Sequence, residues 1–269
     1  MEHRPLAFTK YEGAGNDFLV VEAPTEAAIS PERAVALCDR HFGVGADGVL
    51  LVVPPSDGGA RARMVVLNAD GSRPEMCGNG LRCVALHLAR RDGARRIDYA
   101  IETDAGIKAT EVDRDEVAGQ VSLGMGRARL VGTRGFAVAG VLREFQLVDM
   151  GNPHAIALGL EVSAQQIDEF GPALSASLPG GSNVEAVTIH SPKVLEVLVW
   201  ERGVGRTLAC GTGAAAVAVA AAASGRSPFG EPVEIRLPGG SLTVTVEREG
   251  LDVTLRGPAR LVFSGQVEG

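Results

Sequence analysis

Lysine is almost missing from this 269-residue chain; it stands only at Lys10, Lys108 and Lys193. A pyridoxal enzyme needs a Schiff-base lysine, and none of the three sits in a loop built for one, so no cofactor of that kind is expected. Aromatic residues make up 4% of the chain. Charged residues make up 22%, with a net charge of −7 and no basic patch of the kind a nucleic-acid surface carries. No apolar run approaches the roughly 20 residues that span a bilayer. The opening MEHRPLAFTKYEG lacks the charged head and apolar stretch of a signal peptide. These absences predict a cytoplasmic protein that engages neither nucleic acid nor membrane.

Cysteine is scarce too: Cys38, Cys77, Cys83 and Cys210. In a reducing compartment they are read as thiols. Cys38 and Cys83 fall in helical apolar patterns and are expected to be buried and structural. Cys83 with His87, and Cys38 with His41, could share helix faces, but no C-x-x-C and no second matched pair completes a zinc set, so no metal is expected. GVGADG (43–48) fits G-x-G-x-x-G, yet it follows a helical pattern and precedes a strand, the reverse of the dinucleotide context.

What the chain has is glycine, 35 residues of it, and two related stretches. EMCGNGLRC (75–83) and ACGTGAAA (209–216) each place a cysteine before a Gly-x-Gly loop that opens a helix. A helix N-terminus presents unpaired amides and partial positive charge. It stabilises a thiolate and lowers the thiol pKa, and the same amides bind carboxylates.

Strand patterns cover 18–22, 48–54, 63–69, 96–103, 145–150, 154–160 and 194–201, and the tail from Glu231 reads as a meander. Helices are expected at Ser30–His41, Leu81–Arg91, Ala164–Gly171 and Ala214–Ser224. The last has no polar face, which means burial inside a curved sheet. A weak repeat divides the chain. Gly15-Asn16, then Asn68, then Cys77 recur in order as Gly151-Asn152, Asn183 and Cys210. The expected fold is α+β: two pseudo-symmetric domains, each a mixed, mostly antiparallel sheet curled around a central helix. Residues 1–118 with a returning strand at 258–269 form one domain, and 119–257 the other.

Two such cysteines from matching halves suit a small carbon acid bearing a carboxylate. One thiolate removes the α-proton, the opposing thiol returns one to the far face, and configuration inverts without a cofactor. Other chemistries fit the thiols. A disulfide oxidoreductase leaves both glycine loops idle, and a thiol nucleophile needs His154 as base. Glu201-Arg202, at a strand end near the second cysteine, points to a site role.

At GAGNDF (13–18), HFGVGADG (41–48), NADGSRPEMCGNGLRC (68–83), MGNPHA (150–155), GSNVEAV (181–187) and ERGVGRTLACGTGAAA (201–216), the chain closely resembles the diaminopimelate epimerases. The resemblance implies a cofactor-independent enzyme, usually dimeric, that interconverts LL-2,6-diaminoheptanedioate and its meso form in lysine synthesis. It makes Cys77 and Cys210 the acid–base pair, with amides of Gly78-Asn79 and Gly211-Thr212 on the carboxylate at the reacting carbon. Asn16, Asn68, Asn152, Asn183, Glu201 and Arg202 would bind the remaining polar groups, with His154 and Glu201 in support. Gly48, Arg206 and Ala215 depart from residues frequent in such proteins.

Overall fold

The computed structural model describes residues 5–56 and 58–268. It divides into two compact units, Met1–Leu123 with Gly257–Gly269, and Gly124–Arg256. The first opens with β1 (Leu6–Gly13) and β2 (Asn16–Glu22), a hairpin whose Gly13↔Asn16 pair closes over Ala14 and Gly15. Both turn residues have positive φ, 56° and 81°, as a turn matching the strand twist demands. A crossover through α1 (Pro31–Cys38) leads to β3 (Gly48–Val53), parallel to β2. β3 reads GVLLVV and is buried at every residue, the pattern of a strand covered on both faces. β4 (Ala62–Asn68) returns antiparallel; α2 (Gly78–Arg91) then leads to β5 (Arg96–Thr103), parallel to β4, and β6 (Gly106–Arg114) and β7 (Ala118–Arg127) follow antiparallel.

The second unit repeats this order. After β8 (Arg129–Val138), the antiparallel strands β9 (Val141–Asp149) and β10 (Pro153–Leu158) lead through α3 (Ala164–Ala176) to β11 (Asn183–Ser191), parallel to β10. β12 (Val194–Glu201) is antiparallel to β11 and carries the two-residue β13 (Gly205–Arg206). α4 (Gly211–Ala223) leads to β14 (Val233–Leu237), parallel to β12, then antiparallel β15 (Gly240–Val246) and β16 (Asp252–Val267). Strand, helix, parallel strand, antiparallel strand, central helix, parallel strand and meander occur twice in one order. Beyond Gly257, β16 belongs to the first unit, where it pairs with β1 from Glu12↔Arg260 to Leu6↔Val267.

Each sheet surrounds a helix. α2 touches β1 through β6, and α4 touches β9, β10, β11, β14 and β15. Every α4 residue from Gly213 to Ala222 is buried. Alanine and valine suit this position because small side chains let strands approach from all directions.

Several boundaries differ from the sequence pattern. α2 and α4 start three residues early, so the Gly-x-Gly segments are first helical turns and not loops. α1 stops at Cys38, where Asp39 turns the chain by accepting from His41 N at 2.7 Å and Phe42 N at 2.8 Å. α3 continues through Gly171-Pro172 to Ala176, entered by a Ser163–Gln166 capping box. The strands β6, β7 and β8 carry charged or glycine residues on exposed positions that blur the strand alternation.

Gly171 is where α3 meets β12. A Cβ there would lie 2.8 Å from Trp200 Cγ and 2.9 Å from Trp200 Cβ. Gly171→Ala is expected to cost about 1–3 kcal/mol by overpacking. Thermal denaturation checks this: the variant's Tm falls by several degrees, and an unchanged Tm contradicts the packing account.

Candidate active site

Both cysteines of the repeated motif are helix N-caps with extended backbone, Cys77 at φ −135° and Cys210 at φ −120°. Each carbonyl accepts the first helical bond, from Leu81 N at 2.8 Å and from Ala214 N at 2.9 Å. Each Sγ accepts from the third amide of its helix, Gly80 N or Gly213 N, at 3.4 Å in both cases. The sulfur thus takes the role that serine or aspartate usually fills. The amides of Gly78-Asn79 and Gly211-Thr212 belong to the same first turns, out of reach of any helical carbonyl. Packing also demands the glycine at the third position of each turn. A Cβ on Gly80 would lie 2.9 Å from Leu50 Cδ2, and one on Gly213 would lie 2.9 Å from Glu185 Oε1 and 3.3 Å from Cys210 Sγ.

In the second unit a buried string of polar groups ends at Cys210. His154 and Glu185 are fully buried, with Nδ1 2.6 Å from Glu185 Oε1. His154 Nε2 lies 3.1 Å from Asn152 Oδ1. An amide oxygen only accepts, so that nitrogen donates. Burial pushes the Glu185 carboxyl up, against the pull of His154. Asn152 Nδ2 donates to Thr212 Oγ1 at 3.3 Å, and that hydroxyl lies 3.5 Å from Cys210 Sγ.

Helix-end logic alone predicts a lowered thiol pKa at Cys210. The structure reverses that. Burial pushes the thiol well above its ordinary value, and the Glu201 and Glu185 carboxylates push the same way. The hydrogen bonds from Thr212 and Gly213 oppose the shift without offsetting it. Desolvation of a buried sulfur outweighs the partial charge of one helix end.

In the first unit, Cys77 is half-buried and Asn79 buried. Asn79 Nδ2 donates to Asn16 Oδ1 at 3.2 Å, and Asn16 Nδ2 donates to Asp47 Oδ2 at 2.6 Å. Asp47 and Asp17 share the Arg40 guanidinium, and Asp17 also binds Lys10 at 2.7 Å. Burial alone would raise the Asp17 carboxyl, but hydrogen bonds from Arg40 and Lys10 win and hold it at about 2. Asn68, at the end of β4, donates to Ser72 Oγ at 2.9 Å.

The remaining expected residues gather at the end of β12. Asn183 Oδ1 accepts from Arg202 N at 2.8 Å, and the Arg202 guanidinium donates to Gly180 O at 2.7 Å. Glu201 accepts from Thr207 Oγ1. Arg206 is held by Asp168 of α3 at 3.1 Å. Gly48 faces the Leu67 carbonyl, 2.8 Å from where its Cβ would be, so β3 excludes a larger residue there. Ala215 is buried in α4. Glu185, Asp47 and Thr207 were not singled out from sequence. An acid inside the apolar run NVEAV was the available signal for Glu185. Among the described residues, no three His, Cys, Asp or Glu side chains gather as a metal set. His87 instead bonds Tyr11 and Glu22.

The family model described as diaminopimelate epimerase matches residues 8–131 and 146–262. A diaminopimelate epimerase from Synechocystis is 40% identical over 282 residues, with 98% of this chain and 99% of the relative covered. One from Desulforudis audaxviator is 41% identical over 278 residues, covering 97% and 99%. Among solved structures, a hydroxyproline epimerase from Agrobacterium vitis aligns with a TM-score of 0.75 at 18% identity, covering 99% of this chain and 92% of that one. A predicted epimerase from Pseudomonas aeruginosa aligns at 0.73 with 17% identity, covering 97% and 99%. These two structures share the fold.

The depressed Asp17 carboxyl makes a pH prediction. Its folded value of about 2 lies below its ordinary 3.8. Its contribution to stability is complete above pH 3.8 and is lost as pH falls through 2. In urea unfolding, the penalty of Asp17→Asn is therefore largest above about pH 4 and shrinks toward pH 2. A penalty independent of pH contradicts this linkage.

Proposed function

The chain belongs to the diaminopimelate epimerase family and is an epimerase of diaminopimelate, and we propose that Cys77 and Cys210 are its two acid–base groups. The observation that carries this assignment is the repeated cap: in each unit a cysteine Sγ receives the third amide of the central helix at 3.4 Å.

The substrate, LL-2,6-diaminoheptanedioate, has two amino acid ends, and inversion at one stereocentre gives the meso form. One thiolate takes the α-proton as the C–H electron pair passes toward the adjacent carboxylate. The other cysteine's S–H delivers its proton to the opposite face of that carbon. Atoms balance: one proton leaves, one arrives, and the two sulfurs exchange protonation states. The same pair therefore serves the reverse direction.

The α-proton of an amino acid is far less acidic than a thiol, so the charge that develops on the carboxylate must be met by donors already in place. The first-turn amides of Gly78-Asn79 and Gly211-Thr212 supply them. One well-placed donor of this kind contributes about 3–4 kcal/mol to a transition state. The raised Cys210 thiol suits a proton donor that keeps its hydrogen until a carbanion forms. Asn152 and His154 align Thr212 on that sulfur, and Glu201 adds negative charge near it.

Asn16, Asn68, Asn183, Glu201 and Arg202 read the distal amino acid end. Donors and acceptors committed to ammonium and carboxylate groups reject a substrate lacking that end, because burial would leave them unpaired. The reaction uses neither pyridoxal phosphate nor metal. Lys10 is engaged by Asp17 and Gly45 O, and Lys193 by Glu231. The enzyme acts in lysine synthesis as a cytoplasmic homodimer, as its resemblance implies. No helix among the described residues is long and apolar enough to cross a membrane.

Cys77→Ala and Cys210→Ala are each expected to abolish epimerisation, read as conversion of the LL substrate to meso in deuterated water. Wild type incorporates deuterium at the inverted carbon and keeps its activity in chelator. Wild-type turnover by either alanine variant rules out the two-thiol assignment.

A further inference from the structure

Asp47 stands at the entry to β3, and its backbone and side chain are both engaged. Its N–H donates to Asp17 O at 2.9 Å, and its carbonyl accepts from Ala69 N at 3.0 Å. The two bonded residues follow Asn16 and Asn68 in the chain. The carboxylate is divided. Oδ1 pairs with Arg40 at 2.8 Å. Oδ2 accepts from Asn16 Nδ2 at 2.6 Å and from Asp17 N at 3.1 Å.

That division fixes an orientation. An asparagine side chain carries a donor and an acceptor of nearly equal size, and a half-turn about its last bond exchanges them. A carboxylate paired with a guanidinium offers lone pairs only, so the Asn16 atom facing Asp47 is the nitrogen. The oxygen then faces Asn79, whose Nδ2 donates to it at 3.2 Å. Asn79 is buried in the first turn of α2, two residues past Cys77.

The second unit follows the same plan. Asn152 corresponds to Asn16 in the repeat, and Thr212, two residues past Cys210, corresponds to Asn79. Asn152 bonds Thr212 at 3.3 Å and His154 at 3.1 Å, and His154 lies 2.6 Å from Glu185. Glu185 is on β11, which pairs in parallel with β10 as β3 pairs with β2. A carboxylate at the crossover strand thus anchors each asparagine, directly in one unit and through a histidine in the other. An arrangement reached twice with different residues points to a requirement of the site and not of one core.

We propose that Asp47 is a positioning residue: its carboxylate pins the Asn16 amide, nitrogen toward itself and oxygen toward Asn79, before substrate arrives. This rests on the reading of Asn16 as a residue that binds the distal end of the substrate. An amide free to turn offers a donor or an acceptor to the same substrate group and separates ammonium from carboxylate poorly. A pinned amide offers one of them, and the wrong substrate group leaves it unpaired.

The test is a double-mutant cycle between Asp47 and Asn16 in the full-length enzyme, read as kcat and KM for the LL substrate. In Asp47→Asn the Arg40 guanidinium claims the new amide's oxygen, so its nitrogen faces Asn16 and the Asn16 amide must turn. KM is expected to rise about tenfold with kcat within about twofold of wild type, the pattern of lost uniform binding. In an Asn16→Ala background the same substitution has no further effect on KM, because no amide is left to orient. A residue that only braced the Arg40–Asp17 pair would keep its penalty there. Asp47→Ala retains the backbone bonds and serves as the second variant if Asp47→Asn does not fold. In isotope-labelled protein, the Asn16 side-chain amide signals shift in either variant as the 2.6 Å bond to the carboxylate is lost. Unshifted signals, a wild-type KM in a folded Asp47 variant, or an undiminished penalty in the Asn16→Ala background overturns the inference. A wild-type KM in Asn16→Ala alone overturns instead the reading of Asn16 as a substrate residue, and the amide signals still report on Asp47.

Discussion

The structure depends on ending a buried helix with a sulfur. A helix apolar on every side, such as α4, is stable only when a sheet surrounds it, and its first amides then lie in a dry place where each needs a partner. Cys210 at α4 and Cys77 at α2 each satisfy the third amide with Sγ. This is a weak cap compared with serine or aspartate. It leaves a titratable atom fixed where first-turn amides collect on a carboxylate. The two following glycine-containing turns belong to the same solution, since Leu50 and Glu185 occupy the space that larger residues at 80 and 213 would need.

Identical backbone geometry does not give identical chemistry. The partial charge of a helix end is a small term, of about 0.3–1 kcal/mol at an exposed site. Around Cys210 it is outweighed by burial and by two carboxylates. The surroundings that decide this come from β11 and β12, which carry Glu185 and Glu201. Local sequence sets where the sulfurs are, and the neighbouring elements set what protons they hold.

Much of the fold was legible from period and punctuation. The apolar runs at 48–54 and 194–201 became β3 and β12, and the featureless apolar helix at 214–224 became the buried α4. Strands such as β6, GIKATEVDR, and β8, RLVGTRGFAV, were not legible, because their solvent-exposed positions carry charge and glycine that erase alternation. The glycine turns after each cysteine were read as loops because intrinsic propensity disfavours glycine in helices. Tertiary crowding overrode that preference.

By itself the sequence determined the chemical inventory: two cysteines before Gly-x-Gly, the ordered asparagines, Glu201-Arg202, and too few lysines for a Schiff-base role to stand out. Those are properties of residue type and short spacing, which a linear chain displays. Only the tertiary structure decided that Glu185 lies 2.6 Å from His154, that Asn152 reaches Thr212, and that Asp47 holds the Asn16 amide. These contacts join residues distant in the chain. Their energies depend on desolvation, which arises only once the sheets have closed around their helices.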